Sequence, residues 1–111
     1  MRFPGGGSNL VSKFNEGIMT TLSQAVQDAG FQYFDWNVDS NDAGGALKSM
    51  TVSNNVIENV QKHRTSMVLM HDVNDFSVDA VEDIIVWGLE NGYKFLPLKE
   101  NSPTMQHDVL N

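Results

Sequence analysis

Apolar positions recur along the chain with two periods, and the elements follow from their alternation. Across residues 14–29, Phe14, Ile18, Met19, Leu22, Ala25, Val26 and Ala29 fall three or four apart, which predicts an amphipathic helix. Gly30 follows, where a left-handed residue caps a last helical turn. Residues 31–38 are aromatic-rich with partial alternation and predict a strand, leading into a polar loop over 39–45. A second helix is expected over 53–61, with Val56, Ile57 and Val60 turned inward. The run Ser66-Met67-Val68-Leu69-Met70 then stops at His71-Asp72. It is too short for a membrane span and too apolar for a solvent-facing strand, so it reads as a buried parallel strand with His71 at its C-terminal lip. Ser77 is the expected N-cap of a third helix, with Val78, Val81, Ile84, Ile85 and Leu89 on one face. Asn91-Gly92 ends it before a final strand over 93–98. Gly5-Gly6-Gly7 makes residues 2–9 a loop, and the aperiodic tail from Lys99 is expected to be irregular or a packed extension.

Two junctions repeat each other. Gly30-Phe31-Gln32-Tyr33 and Gly92-Tyr93-Lys94-Phe95 share a glycine cap followed by aromatic, polar, aromatic. Helices and strands alternating through such short turns predict an α/β fold with parallel strands, open or closed as part of a barrel. Loops leaving the carboxyl ends of parallel strands are where ligands bind. On that topology Gly5–Gly7, the 39–42 loop and His71 are expected at one rim.

Composition narrows the classes. At 111 residues the chain is one domain at most. Fourteen acidic against seven basic residues give a formal charge of −7, and the few basic residues are scattered, which argues against a nucleic-acid partner. No cysteine means no disulfide framework, thiol nucleophile or cysteine-held zinc. No segment is apolar for long enough to predict an export signal or a membrane span.

Among the candidate residues His71 stands first. A carboxylate on a neighbouring loop would fix its tautomer and favour the protonated ring, as a general acid near neutral pH requires. Asp42 and Asp39 are equal candidates for that carboxylate, and a turn-forming role is the common one for aspartate in a Ser-Asn-Asp loop. The glycine run leaves backbone N–H groups uncovered for an oxyanion, or is simply a flexible end. Arg2 has the fork to hold a carboxylate, with none assigned to it in this chain. The three histidines lack the i, i+4 spacing of helical metal sites, so no complete metal site is expected.

Taken together, Arg2-Phe3-Pro4-Gly5-Gly6, then Asp35-Trp36-Asn37-Val38-Asp39-Ser40-Asn41-Asp42, then Val68-Leu69-Met70-His71-Asp72 resemble, in order and spacing, the polysaccharide deacetylases of carbohydrate esterase family four, the NodB-homology group. The resemblance implies a distorted (β/α) barrel in which a divalent metal, usually zinc, activates water against the N-acetyl group of a sugar. It implies that His71 protonates the leaving amine, that Asp42 pairs with His71, and that Arg2 orients the catalytic base. It further implies a backbone oxyanion donor from Pro4-Gly5-Gly6 and a pocket walled by Trp36 and Leu69, with Asp39 beside it. The chain departs from the family pattern in lacking the Thr-Phe-Asp-Asp segment, which supplies the base and a metal ligand, and the His-x-x-x-His segment, which supplies two more. Gly5 also stands where many members carry Tyr, and Ala43 where many carry Trp.

Residues 1–111 are therefore expected to be the C-terminal portion of one deacetylase domain, a partial barrel with parallel strands alternating with helices. Without metal ligands or base it is expected to be inactive alone and to hold no zinc tightly. The complete enzyme would act on an N-acetylglucosamine glycan, peptidoglycan or chitin-like, outside the cell or in its envelope. The missing N-terminal half is the expected partner, and uncovered strand edges favour self-association. The alternative is a non-catalytic carbohydrate- or protein-binding module derived from the same barrel, with Tyr33, Phe34 and Trp36 stacking on sugars.

Overall fold

Gly17 decides where the first helix begins. Its φ of 82° is left-handed, so helical backbone starts only after it, and α1 spans Ile18–Asp28. The periodicity that reached back to Phe14 counted a residue that is 87% exposed. In this computed structural model, which describes residues 1–10 and 13–111, the order continues with β1 (Val38–Asp39), α2 (Ser49–Val60), β2 (Val68–Leu69) and α3 (Asp75–Glu90). The elements fall into two compact units, Met1–Trp36 with Leu98–Asn111, and Asn37–Pro97.

The first unit packs α1 over a small core. Met19 is buried with Phe3 and Tyr33, whose ring centroids lie 5.1 Å apart, and Ile18, Val26 and Val109 pack against them. Residues 31–36, expected as the start of a strand, form no regular strand. Their backbone groups pair with loops: Phe34 N–H donates to the Met1 carbonyl and Asp35 N–H to that of Met105. Such bonds satisfy the buried backbone without building a ladder. The tail is the packed extension the sequence allows, and Asn111 accepts from Gly17 N–H (2.7 Å) and Thr20 N–H (2.8 Å) at the uncapped start of α1.

The second unit is a β–α–β–α run. β1 and β2 pair in parallel, Val38 opposite Val68 and Asp39 opposite Leu69, with α2 as the crossover between them. Asn37 sets the register through its side chain, donating to Thr65 O (2.9 Å) and accepting from Met67 N–H (2.7 Å). Val38, Val56 and Val60 form one core cluster with Val68, Met70, Ile84, Trp87 and Tyr93 around it; Ala46, Val52 and Ala80 form another. α2 starts four residues before the expected Ser53.

Three expectations need correction in this unit. β2 is half-buried rather than buried, since among the described residues its sheet has two strands and leaves one edge uncovered. Residues 93–98 form no strand; without a partner ladder their alternation has nothing to pair with, and Phe95, Leu96 and Leu98 are exposed. α3 has the expected period in a rotated phase. Ser77, Ala80 and Gly88 are buried and Ile84 and Trp87 pack inward, while Val78, Val81, Ile85 and Leu89 face out. Ala80 packs with Val52 of α2, Gly88 faces Phe95 and Tyr93, and the bulkier apolar stripe is the exposed one.

The repeated junction is real. Gly30 (φ 89°) and Gly92 (φ 80°) are both left-handed, and in each case the next aromatic N–H returns to the helix, Phe31 to Val26 O and Tyr93 to Gly88 O, both at 2.9 Å. That six-to-one bond is the Schellman closure, and it selects glycine because a side chain is strained there.

Candidate functional site

β1 delivers the chain into a locked polar loop. Asp39 Oδ1 accepts from Asn41 N–H (2.8 Å), an Asx turn that lets Asn41 adopt φ 59°, and the Asn41 carbonyl gathers the N–H groups of Gly44, Gly45 and Ala46. Asn55 on α2 donates to Ser40 O (2.9 Å), tying the loop to the crossover helix. Asp39 is thus occupied in making the turn, and Asp42 is the carboxylate the loop presents.

Asp42 is 3% exposed and receives three donors. His71 N–H (2.7 Å) and Ser77 Oγ–H (2.6 Å) donate to Oδ2, and the His71 ring meets Oδ1 through Nδ1 at 2.8 Å. Burial pushes the Asp42 pKa up, but the hydrogen bonds from Ser77, from the His71 ring and backbone and, more weakly, from Ser40 outweigh it and bring it down to about 2. Asp42 is therefore an ionised, acceptor-only group at neutral pH, so Nδ1 must carry the proton it shares. That fixes the tautomer: Nε2 is the nitrogen left for chemistry. The His71 side chain is 41% exposed while that of Asp42 is fully buried, so the charge is hidden and the ring is open.

His71 and Ser77 also border a groove of about 620 Å³ whose apolar wall is Met70, Val78, Val81, Ile85 and Val86, with Asp72 and Glu82 beside it. Leu69 lies on β2 opposite Asp39 and does not line this groove.

The other site residues belong to the first unit. Phe3-Pro4-Gly5-Gly6 is a tight turn, closed by Gly6 N–H to Phe3 O (2.9 Å), with Pro4 and then Gly5 (φ 72°) in the middle positions of a type II turn. Gly6 approaches Trp36 so closely that a Cβ there would lie 2.9 Å from the indole. The Gly6 and Gly7 N–H groups are used internally, Gly7 donating to Asp35 Oδ1 at 2.7 Å. Pro4 has no N–H, and the Gly5 N–H has no partner among the described residues. Arg2 is fixed by the carbonyls of Phe34 (3.1 Å) and Asp35 (3.2 Å) and lies 5.7 Å from the Trp36 ring centroid. Among the described residues no carboxylate forms an ion pair with it.

Two residues escaped sequence reasoning in role. Ser77 looks like an N-cap, but Asn74 holds that position and Ser77 sits in the first turn of α3 with its hydroxyl on Asp42. Asp35, fully buried, accepts from Gly7 N–H and His107 N–H (2.8 Å), while the His107 ring bonds Ser8 and the Trp36 carbonyl. A serine within a turn of an expected helix start is a weak signal, and nothing local pairs Asp35 with residue 107. Among the described residues no three His, Cys, Asp or Glu side chains converge as a ligand set, so the residues present do not fit a zinc site.

The β–α–β–α run is a mixed α/β arrangement with parallel strands, and just beyond β2 it carries an imidazole held by a buried carboxylate. No protein-family model matches the chain. It is 32% identical over 91 residues to a peptidoglycan-N-acetylglucosamine deacetylase of Bacillus cereus, covering 78% of this chain and 33% of that protein. Its structure matches the catalytic domain of a peptidoglycan N-acetylglucosamine deacetylase from Eubacterium rectale with a TM-score of 0.96 at 52% identity, over 100% of this chain and 51% of that one. A polysaccharide deacetylase from Bacillus cereus matches with a TM-score of 0.65 at 30% identity, over 97% and 52% of the respective chains. The chain is related to the polysaccharide deacetylases, and it spans about half of these two structures and a third of the curated relative.

Proposed function

We propose that this chain is the proton-donating, C-terminal part of a NodB-type barrel that removes acetyl groups from peptidoglycan N-acetylglucosamine. The observation that carries the reading is the Asp42 clamp on His71, which leaves Nε2 as the reactive nitrogen at an exposed lip. Amide hydrolysis ends with cleavage of the C–N bond, and the nitrogen must be protonated to leave as an amine. His71 Nε2–H supplies that proton, and Asp42 offsets the charge on the ring before transfer. In the first unit, Gly5 N–H is the candidate donor to the oxyanion and Trp36 the candidate wall of the acetyl pocket. Arg2, free of a carboxylate partner among the described residues, is suited to orient a base contributed by the rest of the domain. A zinc ion in the complete enzyme would be held by residues this chain does not contribute and would supply the activated water. The open apolar wall of α3 supports a complementary half that packs over it.

The test joins this chain in one polypeptide to the unmatched half of the Eubacterium rectale catalytic domain and follows acetate release from peptidoglycan. Turnover is expected from the joined protein and none from the chain alone. Turnover by the chain alone, or a folded joined protein that releases no acetate, overturns the reading.

A further inference from the structure

We infer that Ser77 is a positioning residue for His71, acting through Asp42. The carboxylate has two oxygens with different duties. Oδ2 is held by two donors on separate elements, the His71 N–H at the end of β2 (2.7 Å) and the Ser77 hydroxyl in the first turn of α3 (2.6 Å). With Oδ2 pinned from both sides the carboxylate plane cannot turn, and Oδ1 is left aimed at the ring Nδ1 (2.8 Å). The backbone bond alone would fix one oxygen and leave rotation about it; the hydroxyl removes that freedom.

Ser77 is 1% exposed and Asp42 has no exposed side-chain surface, so water does not replace the bond if the hydroxyl is removed. A charge-assisted hydrogen bond lost inside the protein raises the carboxylate pKa, and with Oδ2 held by one donor fewer the carboxylate is free to turn Oδ1 away from the ring. The groups that meet Asp42 are His71, Ser77 and the neighbouring Ser40. The Ser77 hydroxyl does not cap α3: Ser77 lies inside the first turn, past the N-cap position of Asn74, and its hydroxyl donates to Asp42 instead. The location of Ser77 also couples the placement of α3 to the orientation of the ring. The catalytic consequence rests on His71 being the proton donor; the hydrogen-bond consequence does not.

The two are separated by measuring both. In the intact 111-residue chain, NMR of the Asp42 carboxyl carbon and the His71 ring nitrogens reads the clamp directly. Ser77→Ala is expected to raise the Asp42 midpoint by about one pH unit and to reduce the population of the Nδ1–H tautomer. Ser77→Thr, which keeps the hydroxyl, restores both. Ser77→Cys, nearly isosteric with a weak donor, behaves like alanine and decides the matter if the alanine variant does not fold. In the joined enzyme, Ser77→Ala is expected to lower kcat roughly tenfold with KM unchanged. A folded Ala or Cys variant with the wild-type Asp42 midpoint and wild-type tautomer overturns the inference. Shifted NMR signals with unchanged turnover leave the clamp standing and remove His71 from the proton-donor role.

Discussion

Each of the two units buries one aspartate, and the pair differ in what they hold. Asp35, with no exposed surface, accepts from two main-chain N–H groups that are distant in sequence, Gly7 and His107, and so staples the glycine loop and the tail to residues 31–36. The neighbouring side chain it perturbs is Tyr33, whose pKa rises through burial first and the Asp35 charge second. Asp42 accepts from one main-chain N–H, one hydroxyl and one imidazole, and the imidazole is partly open to solvent. Both carboxylates are satisfied, so burial alone does not distinguish a staple from a site. The difference lies in whether one of the donors is a titratable group that a ligand can reach.

The sharpest way to break this comparison is to delete one side chain from each unit and read two properties. His71→Ala in the joined enzyme should lower turnover by roughly a hundred- to ten-thousandfold while changing urea stability by less than about 1 kcal/mol, because the ring is partly exposed. Asp35→Ala should do the reverse in kind, costing roughly 3 kcal/mol in urea melts, since it strands one buried and one part-buried N–H donor. Equal stability losses in the two variants would erase the distinction.

Acid titration is the next probe. The folded-state pKa of Asp42, about 2, lies below its ordinary value of 3.8. Its contribution is therefore fully present above about pH 4 and is lost as the pH falls through 2. At about 1.4 kcal/mol per unit, roughly 2 kcal/mol is at stake. Urea midpoints measured from pH 5 to pH 2 should fall less steeply in Asp42→Asn than in the wild type; parallel curves would mean that the clamp does not bias the charge. The smallest effect concerns what the units share. Gly30→Ala and Gly92→Ala should each cost about 1 kcal/mol in thermal or urea melts, by the same left-handed strain.

The repeated glycine junctions, the α/β alternation and the relation to deacetylases were legible in the sequence because each depends on short-range pattern: a glycine at a helix end, an apolar period, residues at fixed spacing. The site was legible in part. His71 stood out because an apolar run stops there, but Asp39 and Asp42 were equal until the loop closed, and the Asx turn that consumed Asp39 left Asp42 to face the ring. The role of Ser77 was not legible, because a serine near a helix start has the same local signature whether it caps the helix or bonds a carboxylate from another loop.

What the sequence alone determined is where helices end, where the proton-carrying ring sits along the chain, and which kind of protein it is related to. What only the tertiary structure decided is pairing and phase. It decided that residues 31–36 and 93–98 build no ladder, that α3 buries its small residues and exposes its large ones, and that Asp35 meets residue 107 while Asp42 meets residues 71 and 77. Strand formation and burial depend on partners far away in the chain, and no local pattern carries information about which distant surface will arrive.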